Sequence, residues 1–473
     1  MFNRTVRRLD RRAYRHTLGS AFVLALACSA PFAATPAVAA DKPAAAAPKV
    51  SLSNGFKPLY ANMAKAIETA KARPDVVAAR ANVTSAQAAL QQARGPARTQ
   101  AQANLDAATS ALGALLTAEK GQLDALFAAA TTPDDRYGAG SLAIPMGDLM
   151  KDTRVQRRGL EAMIASGKAN PADVPRLQYY VGQFAFDQKD YAAARTAIQA
   201  SIAGGFTEND LDGLLAESYF AENMNAQGLT VLRQAITRRN ATPSKAPESW
   251  YRRGLGVAYK AQLLDQAVSF STDLVQAYPS SANWAGAIAV VREVGKFAPQ
   301  ETLDLMRLMG RSNTYAEERD YIEYIQAADA RRLPGEVLKV IDAGIAAGKL
   351  KANDPFIVDA RTTASGRIAT DRASLPGLER DARASAASGV TVSGAADALL
   401  SYGETAKAQE LYNIALTKPG ADTPRLLTRI GIAQYDLGDY AGAQATFAKV
   451  TGPRQSIARL WSLYAASKAR PAA

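Results

Sequence analysis

The chain has 473 residues and a formal net charge of +12, with 48% apolar but only 7% aromatic side chains. That is enough for three or four ordinary domains and for a large core built mostly of alanine. Its one cysteine, Cys28, and one histidine, His16, both fall in what reads as an export signal, so the mature chain is expected to hold neither. This excludes disulfides, thiolate or imidazole catalysis, and most zinc, copper, haem and iron–sulfur sites.

The first 20 residues carry six arginines against one acid, Asp10; an apolar run, Ala21 to Ala34, and the small-residue stretch Thr35-Pro-Ala-Val-Ala-Ala40 follow. The run falls short of the about 20 residues that span a bilayer. The expected product is a periplasmic or secreted bacterial protein, cleaved near Ala40 and without a transmembrane segment after cleavage. The rival is lipid attachment at Cys28, but Leu24-Ala-Leu-Ala-Cys28 puts leucine where lipoproteins usually place a small residue. Removing residues 1–40, with their six arginines and one aspartate, lowers the net charge from +12 to +7. That excess suits weak contact with anionic envelope components, although a solubilising surface charge is the simpler reading. The basic residues are dispersed, so nucleic acid is not an expected partner.

Residues 41–57, rich in Ala, Pro and Lys, read as a flexible linker. Residues 58–130 read as an alanine-rich helical hairpin or coiled coil. Val76, Val83 and Leu90 recur every seven residues, with Ala79, Ala86 and Ala93 three after each. Gly95-Pro96 breaks the helix, and a second one over 97–130 carries Leu105, Leu112, Leu116, Leu123 and Leu126 on one stripe. An antiparallel hairpin is the first choice, and self-association of this coil with other subunits is the alternative. Residues 131–147, with Gly138-Ala-Gly140-Ser-Leu-Ala143, read as a glycine-rich linker; a dinucleotide fingerprint would need a strand before it and a helix after it.

From about residue 170 the chain repeats itself. Gly182 is followed twelve residues on by Ala194 and four later by Ile198; Gly431, Ala443 and Phe447 have the same spacing, as do Ala216, Gly228, Leu232 and Ala396, Ala408, Tyr412. Looser copies are Leu255, Ala267, Ser271 and Ile325, Val337, Ile341, and the long gaps leave room for decayed units near Val290 and Ala360. A small residue at a helix crossing lets two axes approach, and a bulky one fills the adjacent groove. About eight helix pairs are expected.

At these residues the chain resembles the tetratricopeptide repeat family, whose period is 34 residues. Lys189-Asp-Tyr191 and Gly438-Asp-Tyr440 match that family's turn between helices, and Pro279 stands at its closing proline. The resemblance implies an all-α, right-handed superhelical α-solenoid over 148–470. Residues 148–167 and 454–468 read as its capping helices, with Ile457, Leu460, Trp461 and Tyr464 on one stripe of the second. It also implies that first helices line a groove for a peptide or partner helix. The groove positions are Arg176, Tyr179, Gln183 and Phe186, then Glu217 and Phe220, then Arg252, Tyr259 and Lys260. That mix of aromatic and charged residues is typical of binding hot spots, though the aromatics also suit packing between units.

No catalytic residue, cofactor or metal is expected. After residue 40 there is no phosphate-binding loop, Gly-x-Ser-x-Gly elbow or Ser-x-x-Lys dyad. Glu208 to Gly213 has the flavour of a calcium loop but lacks its closing glutamate, and reads as a helix start capped by Thr207. The expected function is a non-enzymatic interaction scaffold of the cell envelope with an unidentified protein or peptide ligand. The alternatives are a carboxylate-dependent peptidoglycan lytic enzyme with an α-superhelical body, or a lipid-anchored assembly factor.

Overall fold

Long runs of alanine, leucine and glutamine with sparse β-branched residues favour helix throughout. A computed structural model describes residues 50–469, and these hold twenty-two α-helices and no strand. The expected export signal with Cys28 and His16, and most of the expected linker, lie outside the described residues. The described chain divides into two compact units, 50–235 and 236–469.

In the first unit, α1 (Phe56–Ala72) packs on α4 (Thr117–Ala129) and α5 (Pro133–Met150), burying Phe56, Met63, Ile67, Leu123, Leu126 and Met146. Phe56 therefore belongs to the core, and the expected linker ends before it. Between α1 and α4, α2 (Pro74–Gln92) and α3 (Pro96–Leu115) pack against each other as the expected hairpin, with Val76, Val83 and Leu112 buried between them. The predicted single helix over 97–130 is in fact two, because the backbone at Leu116 (φ −110°) leaves the helical range. That break turns Leu116 into the core.

Residues 131–147 are not a linker. Thr132 and Asp135 form a capping box that starts α5: Asp135 N–H donates to Thr132 Oγ1 at 3.1 Å and Thr132 N–H donates to Asp135 Oδ2 at 3.4 Å. Buried Asp135 also accepts a hydrogen bond from Ser53 N–H at 2.9 Å. The glycines that suggested a loop are crossing residues. A Cβ on Gly140 would lie 2.6 Å from Gly159 O in α6 (Thr153–Ala165), and one on Gly159 would lie 2.7 Å from Gly140 O. The helix over 148–167 is thus not a lone cap: 148–150 complete α5, Asp152 caps α6, and α6 is the second member of an α5/α6 pair.

The next pairs follow the repeat. α7 (Val174–Asp187) crosses α8 (Tyr191–Ala203) where a Cβ on Gly182 would meet Ile198 Cγ1 at 2.6 Å. α9 (Leu211–Ala221) crosses α10 (Asn225–Asn240) where one on Gly228 would lie 3.1 Å from Ala216 O. The cap of α9 is Asp210, which accepts from Gly213 N–H at 2.9 Å, and not Thr207. α10 runs across the division between the units. Because these crossings leave no room for a larger side chain, Gly182→Leu and Gly140→Val are each expected to cost about 1–3 kcal/mol through overpacking. Thermal melts that coincide with wild type would contradict the crossings.

In the second unit the pairs are α11 (Glu248–Lys260) with α12 (Leu264–Ala277), α13 (Ser281–Gly295) with α14 (Pro299–Ser312), and α15 (Glu318–Ala328) with α16 (Pro334–Ala346). After a single helix, α17 (Pro355–Ala382), come α18 (Gly389–Tyr402) with α19 (Thr405–Ala415), α20 (Thr423–Asp436) with α21 (Tyr440–Phe447), and α22 (Gln455–Ala469). At α11/α12 the close approach is made by Gly254 under Phe270, one residue before the Leu255 that the spacing selects. The unit near Val290 keeps its helix pair. The one near Ala360 does not: no turn interrupts residues 355–382, and Pro376 lies inside one 28-residue helix. The two turns Lys189-Asp-Tyr191 and Gly438-Asp-Tyr440 have the same geometry as each other. Lys189 (φ 64°) and Gly438 (φ 83°) are left-handed, Asp190 and Asp439 cap the next helix, and Tyr191 and Tyr440 stand 5.3 and 5.4 Å from Phe186 and Tyr435.

The last helix does not cap an open end. α22 packs back on α12 and α14, and α20 also packs on α14. Fully buried Trp461 donates its indole N–H to Asp304 O at 2.8 Å, Tyr464 OH donates to Arg311 O at 2.7 Å, and the Trp284 and Tyr464 rings meet edge-on at 5.2 Å. At this seam the Asp304 carboxylate accepts from Arg307 (3.1 Å), Arg429 (3.3 Å) and Arg454. Arg307 also forks onto Glu336 at 2.8 and 2.7 Å, and Arg429 onto Asp397, which accepts from Tyr412 OH at 2.7 Å.

Burial alone would push the Glu336 carboxyl upward, but the charge and hydrogen bonds of Arg307, with Tyr324 OH at 2.6 Å, outweigh it and hold the group at about 2. A carboxyl depressed from the ordinary glutamate value of about 4.5 stabilises the fold above that value and loses the contribution as pH falls from about 4.5 to about 2. The loss amounts to about 3 kcal/mol at ~1.4 kcal/mol per pH unit. Acid denaturation followed by circular dichroism should therefore be less steep in this window for Glu336→Gln than for wild type, and equal slopes would contradict the assignment.

Candidate binding face

Positions 176, 179, 183 and 186 of α7 are spaced by three or four residues and so lie along one side of the helix. Arg176 reaches the edge, where it pairs with Asp173 at 2.8 Å and stays half-exposed. Tyr179 lies between Tyr180 and Phe206, with ring centroids 5.1 and 5.4 Å away. Its phenol is pushed above the ordinary range, first by burial and then by Tyr180, Asp187 and Asp210 nearby. Gln183 and Phe186 are half-buried, Phe186 against Tyr191. Together they make a strip along one side of α7 whose rings pack on neighbours, with Tyr179, Gln183 and Phe186 each half-buried and Arg176 exposed.

On α9, Glu217 is half-buried, but Phe220 is buried: its ring covers Gly228, where a Cβ would come within 2.4 Å of Phe220 Cε1. Phe220 therefore fills a crossing and offers no surface, a correction to its place in the groove. On the second helix of the adjoining pair, Arg195 lies over the Tyr219 ring at 4.8 Å and donates to Ser218 O at 3.1 Å, joining α8 to α9.

The remaining three positions lie in the second unit, on α11. Arg252 forms an ion pair with Glu248 one turn away at 2.8 Å. Glu248 also accepts from Asn283 Nδ2 at 2.8 Å, and this bond, ahead of Arg252, holds its carboxyl below the usual range. Tyr259 is half-buried and Lys260 exposed.

Gly138 to Ala143 lie inside α5, so they form no phosphate loop. Gly167 and Gly348 are left-handed residues (φ 66° and 64°) just beyond helix ends, as helix-terminating glycines commonly are. Among the described residues no helix is long and apolar enough to cross a membrane, and no group of three or more His, Cys, Asp or Glu is placed to hold a metal.

Sequence reasoning missed the charged cluster around Asp304. Its signal was present as charges set inside an apolar stretch, Leu303-Asp-Leu-Met-Arg-Leu-Met309, where solvated side chains are unexpected. Compared with known proteins, the chain matches no family model and no curated sequence.

Proposed function

We propose that this chain is an exported, non-enzymatic scaffold of the bacterial envelope, built of tetratricopeptide-like pairs, which binds a peptide or partner helix along the first helices of its pairs. The observation that carries this reading is the strip on α7, where Arg176, Tyr179, Gln183 and Phe186 share one partly exposed face. Fixed aromatic edges lose little entropy on binding, and a glutamine amide and an arginine at the edge supply directional hydrogen bonds. Helix pairs whose crossings are fixed by small residues supply a rigid support for such a face.

The reading is tested by crosslinking the partner in cells, purifying it, and comparing its affinity for variants. Tyr179→Ala and Arg176→Glu are each expected to weaken binding about tenfold or more, as hot-spot truncations do. Gln199→Ala, on the exposed side of α8, is expected to leave affinity unchanged. Equal affinity for all three variants and wild type would remove the α7 face from consideration. Release of fragments from purified peptidoglycan would favour the lytic alternative instead.

A further inference from the structure

Helix-pair stacks ordinarily touch only their nearest neighbours in sequence. Residues 299–469 depart from that rule. Each helix from α14 to α22 packs on the next, and α22 and α20 then return to α14, so the helices form a closed circuit. At the return seam, three arginines from separate segments meet one carboxylate. Arg307 lies on α14 itself, Arg429 on α20, and Arg454 in the short turn Gly452–Arg454 before α22. Asp304, Arg307 and Arg429 are fully buried and Arg454 nearly so.

Apolar side chains would close such a seam at no greater cost, because buried ion pairs roughly break even with hydrophobic packing. What charges add is a demand for one arrangement. The arginines are satisfied together only when α14, α20 and the turn before α22 occupy these relative positions, whereas apolar surfaces slide. We propose that Asp304 is the keystone of a charge-locked ring, holding α14 against α20–α22, and that without its charge the seam opens while the individual helix pairs stay folded. Opening would uncover Trp284, Trp461 and Tyr464 and the inner face of α14; while the ring is closed, that face is withheld from any partner.

Hydrogen exchange measured by mass spectrometry on the full chain tests this. In Asp304→Asn, peptides from 299–312 and 423–469 are expected to exchange about tenfold faster or more, while those from 318–346 and 389–415 change less than about twofold. The double variant Asp304→Asn with Arg454→Gln restores the balance of buried charge and is expected to exchange more slowly at the seam than Asp304→Asn alone. Unchanged exchange at the seam, a uniform rise across 236–469, or a double variant at least as fast as the single one would overturn the proposal. Arg454→Gln alone carries the same test if Asp304→Asn does not accumulate. It removes one arm of three, so a smaller rise confined to α14 and α22 is expected, and no rise contradicts the lock.

Discussion

Arg307→Ala is expected to destabilise the second unit by about 3–5 kcal/mol, the loss that follows when one partner of a buried ion pair is removed and the other charge stays behind. Arg307 is fully buried and makes four such contributions at once: two bonds to Glu336, one to Asp304, and the charge that offsets both acids. For a unit of this size each kcal/mol shifts the melting temperature by roughly 2–4 °C, so a fall of about 10 °C is expected. The pair Arg307→Met with Glu336→Leu removes both charges and should lose less than Arg307→Ala, because no buried charge is left uncompensated even though the Tyr324 hydroxyl loses its acceptor. An Arg307→Ala melt within about 2 °C of wild type would show that this cluster is solvated rather than buried.

Trp461→Ala should cost a similar amount, about 3–5 kcal/mol, through the cavity it leaves. The indole is fully buried, lies 5.5 Å from the Tyr435 ring and 6.0 Å from that of Phe447, and hydrogen-bonds to Asp304 O. Trp461→Phe keeps most of the stacking and loses the hydrogen bond, so about 1–2 kcal/mol is expected for it. Denaturant titration distinguishes the two, with midpoints falling in the order wild type, Phe, Ala. A loss below about 1 kcal/mol for Ala would mean that α22 frays from the seam and does not close it.

How far the sequence carries depends on the range of the interactions involved. Helix crossings were legible because their determinants recur at a fixed interval within one pair: Gly182 and Gly431 sit against Ile198 and Phe447, sixteen residues on in both cases. The α5 segment was misread for the opposite reason. Gly138, Gly140 and Pro145 are residues that end helices in isolation, and only the facing glycine of α6, Gly159, gives Gly140 its purpose. The ring seam joins residues 125 to 157 positions apart, with no periodicity to reveal them. On the binding face, the α7 strip could be read from its three-and-four spacing. Phe220 could not be assigned in this way, since an aromatic beside a groove and an aromatic filling a crossing look alike until Gly228 is seen beneath it.

The claim that the first-helix face of α7 receives the partner is tested most directly by placing a photo-crosslinking amino acid at single positions in cells. The account predicts that the residue at Gln183 gives a discrete adduct of one partner, that Arg176 gives the same adduct, and that Gln199 on α8 gives none. Adducts from Gln199 equal to those from Gln183, or none from either α7 position while the partner still co-purifies, would contradict it.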